Sequence, residues 1–174
     1  MRPEDRGFHL FRDPRDALIS GYWSWRNSHK NNQDTLLEMR EKLQAASLED
    51  GLILMLDHLI MSVQMEGWKV NGYDNILEVR YEDLVANPTK KFREISSFLK
   101  VDVTDEEIAD TMDLTSFERM SKGRKPGEED TKSHFRKGVP GDWKNVFTDK
   151  VKDAFKERYG DHLIELGYED GTGW

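Results

Sequence analysis

Apolar and polar positions along this chain fall into short strand-like runs and longer helical ones. "GFHLF" (Gly7 to Phe11) is brief and apolar, with a glycine inside its start and "RDP" after it, which predicts a buried strand. Asp13 as cap and Pro14 at the first helical position predict a helix reaching about Arg26, with Leu18, Tyr22 and Trp25 on one face. "NSHKNNQD" is polar loop, and "TLLEMREKLQ" reads as a short amphipathic helix. Ser47 to Glu66 carries the strongest helical pattern: Ser47 and Asp50 resemble a capping box, and Leu52, Met55, Leu56, Leu59, Ile60 and Val63 form a stripe. After the turn "GYDN", "ILEVR" (Ile76 to Arg80) predicts a second strand. Asn87–Pro88 opens a helix with Phe92, Ile95, Phe98 and Leu99 inward, and Thr104 to Glu107 caps a short acidic one. From Lys122 to Asn145 periodicity gives way to glycine, proline and charge, the mark of a long loop. Thr148 starts a last helix, with a break expected near Gly160. A strand–helix–helix–strand–helix order implies an α/β fold with a parallel pair, because parallel strands need a helical crossover. Two strands are thin for a sheet covered on both faces.

Composition narrows this picture. The 174 residues suit one domain with a single core, here expected over 1–174. Charged residues make up 34% and apolar ones 36%, and mean hydropathy is −0.80, so the core is lean; five Trp, five Tyr and eight Phe compensate with large side chains. The net charge of −8 argues against nucleic-acid or anionic-membrane partners. Yet Arg119, Lys122, Arg124, Lys125, Lys132, Arg136 and Lys137 crowd one stretch, which suits a small anion. There is no cysteine, no apolar run nears the roughly 18 residues of a membrane span, and "MRPEDRGFHLF" has no signal-peptide core; a cytoplasmic protein is expected.

Two segments carry candidate chemistry. Arg12 stands where the first strand gives way to a helix, and ligands of open α/β sheets bind beyond strand C-terminal ends, where helix N-termini favour anions. Ser20 lies about two turns further on and offers a hydroxyl. In "SHFRKGVPGDWKNVF" (Ser133 to Phe147), Arg136 and Lys137 supply charge and Gly138 permits close backbone approach. Arg12, Arg136 and Lys137 together would match a phosphate dianion. From the residues alone, a surface ion pair at Arg12 and a solvated basic loop at Arg136 remain open alternatives.

The ordered set "FRDPRDALISGYW", "VRYEDL", "LTSFERM" and "FRKGVPGDWKNVFT" resembles the sulfotransferase family, in particular the soluble cytosolic type that uses 3′-phosphoadenosine 5′-phosphosulfate (PAPS). The resemblance implies a three-layer parallel-sheet sulfotransferase fold, related to the P-loop nucleotide hydrolases, and a sulfuryl transfer to a hydroxyl or amine of a small-molecule acceptor without metal. It implies that Arg12 and Ser20 bind the 3′-phosphate, that Arg136, Lys137 and Gly138 close over it, and that Tyr81, Thr115 and Phe117 border the adenine. Trp143 is expected to anchor the loop by packing.

Family members also carry an N-terminal strand–loop–helix around the 5′-phosphosulfate, with a lysine, and a catalytic histidine before the "RDPRD" segment. Neither has a counterpart in this sequence, so the fold is expected to be incomplete at the N-terminus, with Phe8, Leu10 and Leu18 uncovered and prone to association. "GEEDTKS" (Gly127 to Ser133) is one residue short of a phosphate loop's Gly-Lys pair, and its carboxylates repel phosphate. Among the histidines, His9 reads as packed core, His58 as a helix residue, His29 and His162 as exposed, and His134 as nearest the basic loop; none is assigned catalysis. Lys144, Thr148 and Asp153 sit at the spacing of the family's dimer segment, but Asp149 replaces its apolar residue. Two other readings stand beside the transferase: a non-catalytic 3′-phosphoadenosine nucleotide-binding module, and an inactive fragment.

Overall fold

The structure, a computed structural model, describes residues 5–29, 34–57 and 73–174. They divide into two compact units, one from residues 5–12 and 73–126 and the other from 13–29, 34–57 and 127–174.

The first unit holds the sheet. Strands β1 (Gly7–Phe11) and β2 (Ile76–Arg80) pair in parallel, with Gly7 opposite Ile76 and Phe11 opposite Arg80. Helices α4 (Tyr81–Ala86), α5 (Pro88–Leu99), α6 (Asp105–Leu114) and α7 (Phe117–Met120) follow β2. Pro88 occupies the first turn of α5, where its missing N–H costs nothing. Helix α5 ends at Lys100, whose φ of 57° is left-handed, with Lys100 N–H donating to Ser97 and Val101 N–H to Ser96. The expected Thr104 capping box starts α6, complete in both directions. Among the described residues of this unit, Val79, Ile95 and Ile108 are the buried apolar side chains.

Strand β1 departs from the buried strand that its apolar run predicts and meets the other expectation, that Phe8 and Leu10 are uncovered. Phe8 and Leu10 are 47% and 42% exposed, so one face of β1 is open rather than packed. The opposite face carries His9, which is not a core residue either: its Nδ1 lies 2.8 Å from Glu78 Oε2 on the partner strand. Period-two alternation assigns side chains to faces but not which face is covered.

The second unit holds the main core. Helix α1 (Pro14–Trp23) packs on α3 (Leu48–Leu56), which packs on α9 (Asp149–Glu165); α2 (Asp34–Ala45) and α8 (Trp143–Val146) complete the set. Leu18, Ile19, Leu52, Val151, Phe155 and Leu163 are fully buried. Leu18 is therefore covered, against the expectation that it would be left open. Beyond Trp23 the chain widens into a π-turn over Ser24–Ser28 instead of continuing as α-helix to Arg26. Side chains of α2 take up carbonyls of this turn: Arg40 Nε donates to Trp25 at 3.0 Å and Gln44 Nε2 to Arg26 at 3.2 Å.

Helix α9 runs unbroken through Gly160 and stops at Gly167, whose φ of 70° permits the left-handed turn that ends it. A glycine inside a helix costs about 0.5–1 kcal/mol, which the burial of Tyr159 and Leu163 on either side outweighs. His162 is half-buried against the Tyr159 ring, not exposed as expected. His29 and His134 are exposed. His58, Leu59, Ile60, Val63 and the expected continuation of that helix to Glu66 lie outside the described residues. Among the described residues, no helix is long and apolar enough to cross a membrane.

Candidate functional site

The first turn of α1 and the glycine-rich loop before α8 are built on each other. Asp13 Oδ1 accepts the Arg15 N–H at 2.9 Å, the helix cap that the sequence predicts. The same carboxylate also takes the Arg15 side chain, Nε to Oδ1 at 2.9 Å and Nη2 to Oδ2 at 2.8 Å. Asp16, 1% exposed, reaches the loop: its carboxylate accepts the Gly141 N–H at 2.5 Å and the Trp143 N–H at 3.0 Å. A glycine-rich segment has few ladder partners for its amides, and here a buried carboxylate supplies them.

Arg15 is itself 2% exposed. Its guanidinium carbon lies 3.7 Å from the Trp143 ring centroid and 4.5 Å from that of Trp174, in the corner between two near-perpendicular indoles. Burial would lower its pKa, but the hydrogen bonds to Asp13 and Glu169 outweigh this and hold it above the ordinary arginine value. Trp143 is thus buried and anchors the loop, as its packing role requires.

Inside the loop, Asp142 holds both expected cations. Its Oδ2 accepts from Arg136 Nη2 at 2.7 Å and its Oδ1 from Lys137 Nζ at 2.6 Å. Arg136 also pairs with Glu129. Burial pushes the Asp142 carboxyl up, and the bonds from Lys137 and Arg136 more than reverse that, leaving it below the usual carboxylate range. The backbone is knit too, with Gly127 N–H donating to Lys137 at 2.8 Å and Asp130 N–H to Arg136 at 2.9 Å. The stretch 127–142 is therefore irregular yet internally bonded. Gly138 has a φ of 69°, a conformation other residues enter only with strain. Ser20 sits half-buried on α1 in this same unit.

The remaining candidates lie in the first unit. Arg12 follows β1, and its guanidinium carbon stands 5.0 Å from the ring centroid of Tyr81, the first residue of α4. Thr115 is exposed after α6, its hydroxyl donating to the Thr111 carbonyl at 2.7 Å. Phe117 opens α7, half-buried, with Arg124 at 5.4 Å from its centroid. The structure thus brings Arg12 to Tyr81 in one unit, and Arg136, Lys137 and Gly138 onto one loop in the other.

Sequence reasoning missed three residues that shape the loop: Arg15, Asp16 and Asp142. A usable signal was present. Asp142 follows two glycines and two cations that need a counter-charge, and the glycine-rich amides need acceptors from somewhere. Chemically, the loop offers two cations and a glycine backbone balanced by two carboxylates. Glu129 is the more exposed of these, its side chain 38% accessible against 1% for Asp142. An incoming anion would therefore exchange with Glu129 more readily than with Asp142.

A family model described as a sulfotransferase domain matches residues 4–167. Sulfotransferase 2A6 of Mus musculus is 27% identical over 166 residues, covering 90% of this chain and 55% of that protein. Cytosolic sulfotransferase 16 of Arabidopsis thaliana is 30% identical over 189 residues, covering 93% of this chain and 50% of that protein. The chain spans about half the length of the curated relatives it matches. Among solved structures, mouse sulfotransferase SULT7A1 complexed with PAP aligns with a TM-score of 0.56 at 24% identity, over 94% of this chain and 62% of the other. Retinol dehydratase, in complex with androsterone and the inactive cofactor PAP, aligns with a TM-score of 0.54 at 21% identity, over 91% and 47%. These likenesses show a shared α/β fold.

Proposed function

This chain belongs to the sulfotransferase family, matched over residues 4–167, and on that premise we propose that it forms one sulfotransferase domain portion recognising the nucleotide of PAPS. The enzyme reaction would move a sulfuryl group from PAPS to a hydroxyl or amine of a small-molecule acceptor. The sulfur–oxygen bond to the 5′-phosphate breaks, a bond to the acceptor forms, and the acceptor proton leaves to a base.

The observation that carries this reading is the loop. Arg136 and Lys137 are adjacent cations fixed on one buried carboxylate, next to a glycine in the left-handed conformation with no side chain to keep a ligand off its backbone. That donor set fits a phosphate: a forked guanidinium, an ammonium and backbone amide in one place. In this role Arg136 and Lys137 bind the 3′-phosphate, Asp142 orients them, and Gly138 leaves room. Arg12 and Ser20 would bind the same group, and Tyr81, Thr115 and Phe117 would border the adenine.

The test compares two ligands. Arg136→Ala should weaken binding of 3′,5′-adenosine bisphosphate by about 10- to 100-fold, the loss of one charge-assisted hydrogen bond of roughly 1.5–3 kcal/mol. Binding of 5′-AMP, which lacks the 3′-phosphate, should stay the same. Lys137→Met provides a second variant that disturbs the fold less, since that side chain is the more exposed of the two. Equal losses for both ligands would remove the 3′-phosphate assignment.

A further inference from the structure

We infer that the segment 166–174 is a positioning element for the 136–143 loop, acting through Glu169 and Trp174 on Arg15. The inference concerns how the loop is held; its bearing on nucleotide rests on the loop's role as a phosphate clamp.

The chain of contacts is continuous within one unit. Glu169 Oε1 accepts from Arg15 Nη1 at 2.5 Å, and the Trp174 indole forms one wall of the corner that Arg15 fills. Trp143 forms the other wall, its centroid 5.6 Å from that of Trp174. The Trp143 N–H and the Gly141 N–H are the two amides held by Asp16, one residue after Arg15. Arg136, Lys137 and Gly138 precede these anchored amides in the loop, and Asp142 lies between them.

Trp174 occupies this place at a cost. Its Nε1 is buried and meets no acceptor among the described residues. An unmade indole hydrogen bond costs about 1–3 kcal/mol, so the ring contacts must outweigh it. Those contacts are specific: Arg15 and Lys156 stand over the ring at 4.5 and 4.9 Å, with Phe155 and Trp143 at 6.2 and 5.6 Å. Two cations over one indole mark it as an electrostatic partner as well as an apolar filler. With the second indole gone, Arg15 would keep Asp13 but lose a wall that sets its distance from Trp143. The hold of Asp16 on Gly141 and Trp143 would then lose the support of the Arg15 corner beside it.

The experiment is amide hydrogen exchange on the whole chain, with Trp174→Ala, Trp174→Phe and the milder Glu169→Gln. Exchange at Gly141 and Trp143 should rise about thirtyfold in Trp174→Ala, the size of one desolvated cation–π contact, while Val151 and Phe155 in α9 stay protected. Trp174→Phe should restore protection, since it keeps a ring face and removes the unmade N–H. Glu169→Gln should show a smaller rise at the same two amides. A uniform rise across loop and α9 would make Trp174 a general core residue and overturn the inference, as would unchanged exchange at Gly141 and Trp143. Binding of 3′,5′-adenosine bisphosphate separates the two readings. A rise in loop exchange with unchanged affinity supports the positioning role and refutes the phosphate clamp.

Discussion

Replacing Asp142 by asparagine tests the arrangement at the centre of the loop. The side chain is 1% exposed and accepts from Arg136 at 2.7 Å and Lys137 at 2.6 Å. Removing one member of a buried pair outright costs about 3–5 kcal/mol. Asparagine is close in shape and keeps one carbonyl acceptor, Arg136 keeps Glu129, and Lys137 can turn towards water. The expected loss is therefore smaller, about 2–3 kcal/mol, or one charge-assisted bond. For a chain of this size that lowers Tm by about 5–10 °C. Thermal unfolding followed by tryptophan fluorescence reads it, because Trp143 and Trp174 stand beside the loop.

The pH dependence makes the test sharper. The folded Asp142 carboxyl sits below its ordinary value, so in the acid range the unfolded chain binds the extra proton. Its contribution is fully present above the unfolded carboxylate pKa of about 3.9 and is lost as pH falls through the lower folded value. The gap between wild type and Asp142→Asn should be complete at neutral pH and close in strong acid. A gap below about 0.5 kcal/mol at neutral pH, or one that persists undiminished in acid, would refute the central role given to this carboxylate.

Two other substitutions probe different parts of the second unit. Glu129→Gln removes the more exposed carboxylate on Arg136 and should tighten 3′,5′-adenosine bisphosphate by about two- to fivefold at low salt, fading as salt rises; calorimetric titration showing no change would remove Glu129 as a competitor. Gly51→Ala would place a Cβ 2.5 Å from Tyr22 Cε2, a fully packed ring, and should cost about 1–3 kcal/mol in denaturant unfolding; a loss within about 0.5 kcal/mol would show that the ring yields freely.

Much of the local structure was legible in the sequence because short-range chemistry sets it. The Asp13–Pro14 helix start, the Ser47 and Thr104 caps and both strands depend on residues within a few positions, and they stand where the pattern places them. The break expected at Gly160 failed because burial of α9 overrides a glycine's weak local preference. Strand alternation put Phe8 and Leu10 on one face; that this face is uncovered followed from the family motifs, which wrongly extended the same expectation to Leu18.

For the site, the residue order carried the cations and the glycine of the loop, and the motifs carried the family. Charge and backbone freedom are properties of single residues and can be read one at a time. How the loop is held was decided only in three dimensions. Asp16 meets Gly141 and Trp143 across 125 and 127 positions, and Arg15 meets Glu169 across 154. Nothing local distinguishes Asp16 from any first-turn acid or Arg15 from a surface cation. Their roles arise because packing of α1, α3 and α9 brings distant amides and indoles to them, where burial makes every unpaired polar group costly and so selects these partners.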